Sequence, residues 1–198
     1  MNAKDRILIA IAAKYALHRR QATRRDILRA RRQGIRRMVL EELFIHLSLV
    51  LGFPSMLDGL ERLQREWPAA PILRQRVVSV GRGKAVLKRV YGNQTARLLA
   101  NLERLHREAP TWIVRDVYGK VFPRHGLTLR ERELITVTVL SLQHLDRQLY
   151  SHLRGLLRLG LRPAEVRTVF AAIERASGRS QARSRRVFRE VVSQKKMS

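Results

Sequence analysis

Apolar residues recur at helical spacing along most of the chain, and the breaks between runs fall at Gly, Pro and capping residues. Asn2 with Asp5 opens one run, and Thr23 with Asp26 opens another that Gly34 closes. The spacing predicts further helices from about Ile35 to Leu51, Ser55 to near Trp67, Asn93 to Arg107 and Thr111 to Phe122. Thr128 and Glu131 form a capping box before LTLRERELITVTVLSLQ. Its β-branched ITVTV suits a strand, but the apolar stretch is too long and uncut for a typical one. Asp146 can cap DRQLYSHLRGLLRL, which Gly160 ends. Pro163 restarts the chain as PAEVRTVFAAIERAS, Gly178 stops it, and Ser180 begins a last helix through Val192. Residues 68–83 hold turn formers without a clear period and read as a connection. The fold class is all-α.

The runs repeat. A shift of 126 residues lays DRILI (5–9) on ERELI (131–135) and Gly34 on Gly160 without a gap. The organisation is therefore two imperfect helical repeats: residues 1–67, the connection 68–83, and 84–198 with lead-in helices, together one structural unit. The same register puts the apolar N-terminal segment inside a packed repeat, so it is expected to stay on the mature protein. The copies differ in chemistry, since Glu133 and His152 of the second fall on Ile7 and Asp26 of the first.

Composition narrows the chemistry. The 198 residues carry no cysteine, which removes disulfides, thiolate nucleophiles and sulfur-ligated metals. No apolar run reaches the roughly 20 residues that span a bilayer, so no membrane partner and a cytoplasmic location are expected. The formal charge is +25, and 34 of the 41 basic residues are arginine. They are densest in HRRQATRRDILRARRQGIRR, residues 18–37, where Arg25, Arg29, Arg32 and Arg36 recur at helical spacing. Such a field draws polyanions, although few aromatics are interleaved to stack on bases.

Two polar pairs could do chemistry. Glu133 and His152 lie on different faces of any one straight helix, but a turn at Gln143 to Asp146 would fold them together. A carboxylate on one imidazole nitrogen fixes the tautomer and assigns proton transfer to the other; equally, such a pair can simply hold two helices in register. Glu42 and His46 share a helix face at i and i+4. That spacing suits metal ligands, but further ligands are missing, so no metal and no cofactor are expected and a polar pair lining a cleft is preferred. Arg132 could hold a substrate carboxylate through its two-pronged guanidinium.

GLTLRERELITVTVLSLQHLDRQLYSHLRGLLRLGLRPAEV, with EELFIHLSLVLGFPSMLDGL and YGKVFPRHG, resembles the carboxymuconolactone decarboxylase family, within the alkyl hydroperoxidase-like superfamily. The resemblance implies an all-helical homotrimer or homohexamer. In the peroxidase branch a Glu, a Cys-x-x-Cys pair and a His act together. Here Glu133 and His152 match the outer residues, while Leu145 and Gln148 hold the cysteine positions, so thiol peroxidase activity is not expected. The decarboxylase branch needs no thiol. It implies a lyase acting on a small lactone or carboxylic acid, with His152 and Glu133 catalytic and Arg132, Glu42 and His46 shaping an acid-binding pocket. The alternatives are a non-enzymatic scaffold that binds nucleic acid or another polyanion through its arginines, or a degenerate member that keeps the scaffold alone.

Overall fold

A computed structural model describes residues 1–69 and 82–195, so most of the expected connection at 68–83 lies outside the described residues. Among the described residues there are helices and turns and no strand. Contacts divide the chain into two compact units, residues 1–70 with 126–198 and residues 71–125. The lead-in helices thus group by themselves, whereas the sequence pattern attaches them to the second repeat.

In the first unit the order is α1 (Ala3–Ala16), α2 (Arg24–Arg32), α3 (Arg37–Leu51) and α4 (Phe53–Glu66), then α8 (Leu129–Gln143), α9 (Asp146–Arg158), α10 (Pro163–Ser177) and α11 (Ala182–Lys195). Helices α3 and α10 are offset by the 126 residues of the sequence repeat at both ends. Helices α1 and α8 open on equivalent capping boxes, Asn2 with Asp5 and Thr128 with Glu131. Their first turns also exchange ion pairs. Lys4 reaches Glu131 at 2.8 Å, and Arg130, at the position equivalent to Lys4, reaches Asp5 at 2.8 Å. Reciprocal contacts of this kind are what a local twofold between duplicated halves produces. Gly34 and Gly160, aligned by the repeat, both have positive φ, at 68° and 95°, beyond the ends of α2 and α9. A left-handed residue there stops each helix, and glycine adopts it without a Cβ clash.

The two central helices feed two cores. Ile9 and Ala13 of α1 join α8–α11 around Leu153, Phe170 and Phe188. Ile7, Leu8 and Ile11, on the other side of α1, join α2–α4 together with Ile135 and Val139 of α8. Every residue from Glu131 to Leu142 is buried. A helix covered on all sides needs no polar face, which is why ITVTV carries little helical amphipathicity and still lies in a helix.

At three helix starts the residue expected to cap or open the helix has another role. Thr23 does not cap α2; its hydroxyl donates to the Arg20 carbonyl at 2.6 Å and closes a 3₁₀ turn. Helix α4 begins at Phe53, two residues ahead of Ser55, because Pro54 suits a first turn whose N–H groups have no intrahelical acceptor. Asp146 lies within the first turn of α9 rather than capping it, and its carboxylate pairs with Arg183 at 2.9 Å.

The second unit comprises α5 (Gly83–Tyr91), α6 (Thr95–Leu105) and α7 (Ala109–Trp112), continued by a π-helical segment, Ile113–Val121. Helix α5 starts inside the stretch that shows no period. The expected Thr111–Phe122 helix changes from α to π after Trp112. Gly83 packs against that wider turn, where an added Cβ would sit 2.3 Å from the Val114 carbonyl oxygen. Tyr91 and Tyr118 close the unit through their hydroxyls, 3.1 Å apart.

Candidate active site

Helices α8 and α9 are antiparallel neighbours joined at His144, which turns the chain through φ 59°. The hairpin brings Glu133, on the second turn of α8, to the middle of α9. There Glu133 Oε2 lies 2.8 Å from His152 Nδ1. The carboxylate is sealed, with 0% exposure, while the imidazole keeps 18% and reaches solvent. The other carboxylate oxygen, Oε1, has no hydrogen-bond partner among the described residues. With a carboxylate against it, Nδ1 donates, and Nε2 becomes the nitrogen at which a proton can be exchanged.

The second pair lies on α3 and also faces α8. Glu42 Oε2 accepts from the Arg132 guanidinium at 2.9 Å, with exposures of 1% and 0%. One turn along α3, His46 Nε2 lies 2.9 Å from the Thr136 hydroxyl, which donates to the Arg132 carbonyl at 3.0 Å. A hydroxyl has one hydrogen, so the contact with His46 has to be Nε2–H donating to Thr136 Oγ1. Burial holds the His46 pKa well below 6.5, and the positive charge of Arg132 pushes it the same way. His46 is therefore a neutral imidazole with its proton on Nε2.

All five residues singled out in the sequence thus gather around α8: Glu133 with His152, Arg132 with Glu42, and His46 through Thr136. Sequence reasoning missed Thr136, whose only signal is its place one turn after Arg132. It also gave Gly126 no role. That glycine has φ 95°, and a Cβ on it would come within 2.9 Å of Glu42 Cγ, so the Gly-Leu lead-in leaves room for the buried carboxylate.

On the solvent side, Leu145 at the N-terminus of α9 is 42% exposed, and Gln148 is also exposed. They lie seven and four residues before His152, along one edge of the helix. In the first repeat, the counterparts of Glu133 and His152 form no such pair. Ile7 is core, and Asp26 is held by Lys14.

Residues 110–190 match the model of the carboxymuconolactone decarboxylase family. The matched segment contains Arg132, Glu133, Thr136 and His152, while Glu42 and His46 come from the first repeat outside it. No curated protein matches the chain. The cysteine-less character read from the sequence holds throughout the chain, and among the described residues no helix is long and apolar enough to cross a membrane.

Proposed function

We propose that the protein is a cofactor-independent decarboxylase of a small lactone or carboxylic acid, working as a homotrimer or homohexamer. The observation that carries this reading is the 2.8 Å contact between a sealed Glu133 carboxylate and a His152 ring that reaches solvent. Loss of CO2 leaves an electron pair on the substrate carbon. The imidazolium of His152 delivers a proton to that carbon from Nε2, and the Glu133 carboxylate stabilises the charged ring before transfer and orients it afterwards. Water then reprotonates His152 from its exposed edge.

The buried Arg132–Glu42 pair and neutral His46 supply the polar wall behind this couple. A substrate carboxylate that reached Arg132 would have to compete with Glu42 for it, so Arg132 would act on the substrate mainly through its charge. Leu145 and Gln148 border the approach to His152 and bring no thiol, so the proposed chemistry is proton transfer and not peroxide reduction.

The test is steady-state CO2 release from carboxymuconolactone-type acids by wild type and His152→Ala. Positioned proton transfer contributes about 10²- to 10⁴-fold. A loss of that order in kcat is expected, and an unchanged rate in the variant would remove the proposed site.

A further inference from the structure

We propose that α2 is a docking surface for the phosphate backbone of double-stranded nucleic acid, independent of the Glu133–His152 site. Helix α2 places Asp26, Ile27 and Ala30 inward. Arg25, Arg29 and Arg32, at i, i+4 and i+7, form its outer face, and all three are exposed. Arg36, just beyond the helix, is exposed as well.

None of these four has a carboxylate partner among the described residues. The acids nearby are engaged by other bases: Asp26 by Lys14, Glu66 by Arg24, Glu41 by Arg37 and Asp58 by Arg62. Arg31 lies over the Trp67 ring, 5.8 Å from its centroid. These four acids are taken, and one row of like charges is left facing solvent.

Like charges at i, i+4 on a helix oppose its formation, so the row is a cost to the isolated chain that an anionic partner would relieve. Three guanidinium groups from Arg25 to Arg32 cover about 10 Å of helix. Duplex nucleic acid presents about one negative charge per 1.7 Å of its axis, and the guanidinium fork suits phosphate oxygens. The character of the face selects among polyanions. Helix α2 exposes no aromatic ring on which unpaired bases could stack, and its one apolar side chain not fully buried, the half-buried Leu28, is too little to enter a bilayer. What remains is recognition of backbone charge without reading of sequence.

The test is the salt dependence of binding to a short mixed-sequence DNA duplex, read by fluorescence anisotropy on the full chain. Each phosphate contact adds about 0.9 to the slope of log K against log salt. Arg29→Gln/Arg32→Gln should therefore lower the slope by about two, and Arg25→Gln/Arg32→Gln should do the same. Arg186→Gln/Arg189→Gln on α11 removes equal charge from exposed positions and should change the slope by less than one. Unchanged far-ultraviolet circular dichroism shows that each variant is folded. Retention of duplex binding by His152→Ala supports the independence of the two sites. The proposal is overturned by absence of duplex binding at low salt, by equal losses from the α11 and α2 variants, by tighter binding to single strands, or by a preference for phosphatidylserine vesicles over duplex.

Discussion

Glu133 and His152 were legible as candidates because a carboxylate and an imidazole stand out in a stretch otherwise made for packing. Their meeting depends on one backbone residue, His144, whose left-handed conformation sets the hairpin. The engagement of Arg132 with Glu42 was not legible. Nothing in a sequence says that a guanidinium 90 positions away will meet that carboxylate in a dry interior. This pair makes a sharp stability test. Removing one partner of a buried pair typically costs about 3–5 kcal/mol, whereas an apolar replacement of both is often neutral. Glu42→Ala should lower the unfolding free energy measured by denaturant titration by an amount in that range, and Glu42→Leu/Arg132→Met should recover most of it. His46 gives a pH test. Its folded pKa lies below 6.5, so below that pH the unfolded chain takes up a proton that the fold refuses. Stability should be greatest above about pH 6.5 and fall as pH drops towards the folded pKa, by up to about 1.4 kcal/mol per pH unit. In His46→Gln, the thermal midpoint should fall less over the same window.

At the scale of elements, paired capping boxes and terminal glycines were reliable signals, whereas the single residues Thr23, Ser55 and Asp146 did not mark their helix starts. Both capping boxes and the glycines that end α2, α9 and α10 lie where the residue types require them. Caps also do more than start helices. The Asp5 carboxylate accepts from the Asn2 backbone N–H and from Arg130, and is fully buried. Asp5→Ala should therefore lose more than the roughly 1 kcal/mol of an ordinary cap, since it also removes both hydrogen bonds from Arg130, and differential scanning calorimetry should show a lower midpoint than for Glu131→Ala, which loses a single contact with Lys4. Helix α5 and the π-helical turn after Trp112 escaped notice. Short apolar runs have no decisive period, and a change from i+4 to i+5 hydrogen bonding leaves no compositional trace.

The duplication organises the first compact unit. A 126-residue shift seen in a few Leu, Ile and Gly residues corresponds to exchanged ion pairs, matched helix bounds and two cores that share α1 and α8. Duplication gives two equivalent places for a polar site, and the chain fills them differently. One place holds Glu133 and His152 on the second repeat, backed by Glu42 and His46 of the first. The other holds an aliphatic core residue, Ile7, and a Lys14–Asp26 pair. Asymmetry after duplication frees one half for a different task, and the arginine row of α2 belongs to that half. The most direct measurement of the central claim is chemical rescue of decarboxylation in His152→Ala by added imidazole. If His152 is the proton donor, the variant loses at least about 10²-fold in kcat, and imidazole restores part of it with saturation, since the ring it replaces already reaches solvent. A variant as fast as wild type, or one that stays inactive at every imidazole concentration while folded, would contradict the account.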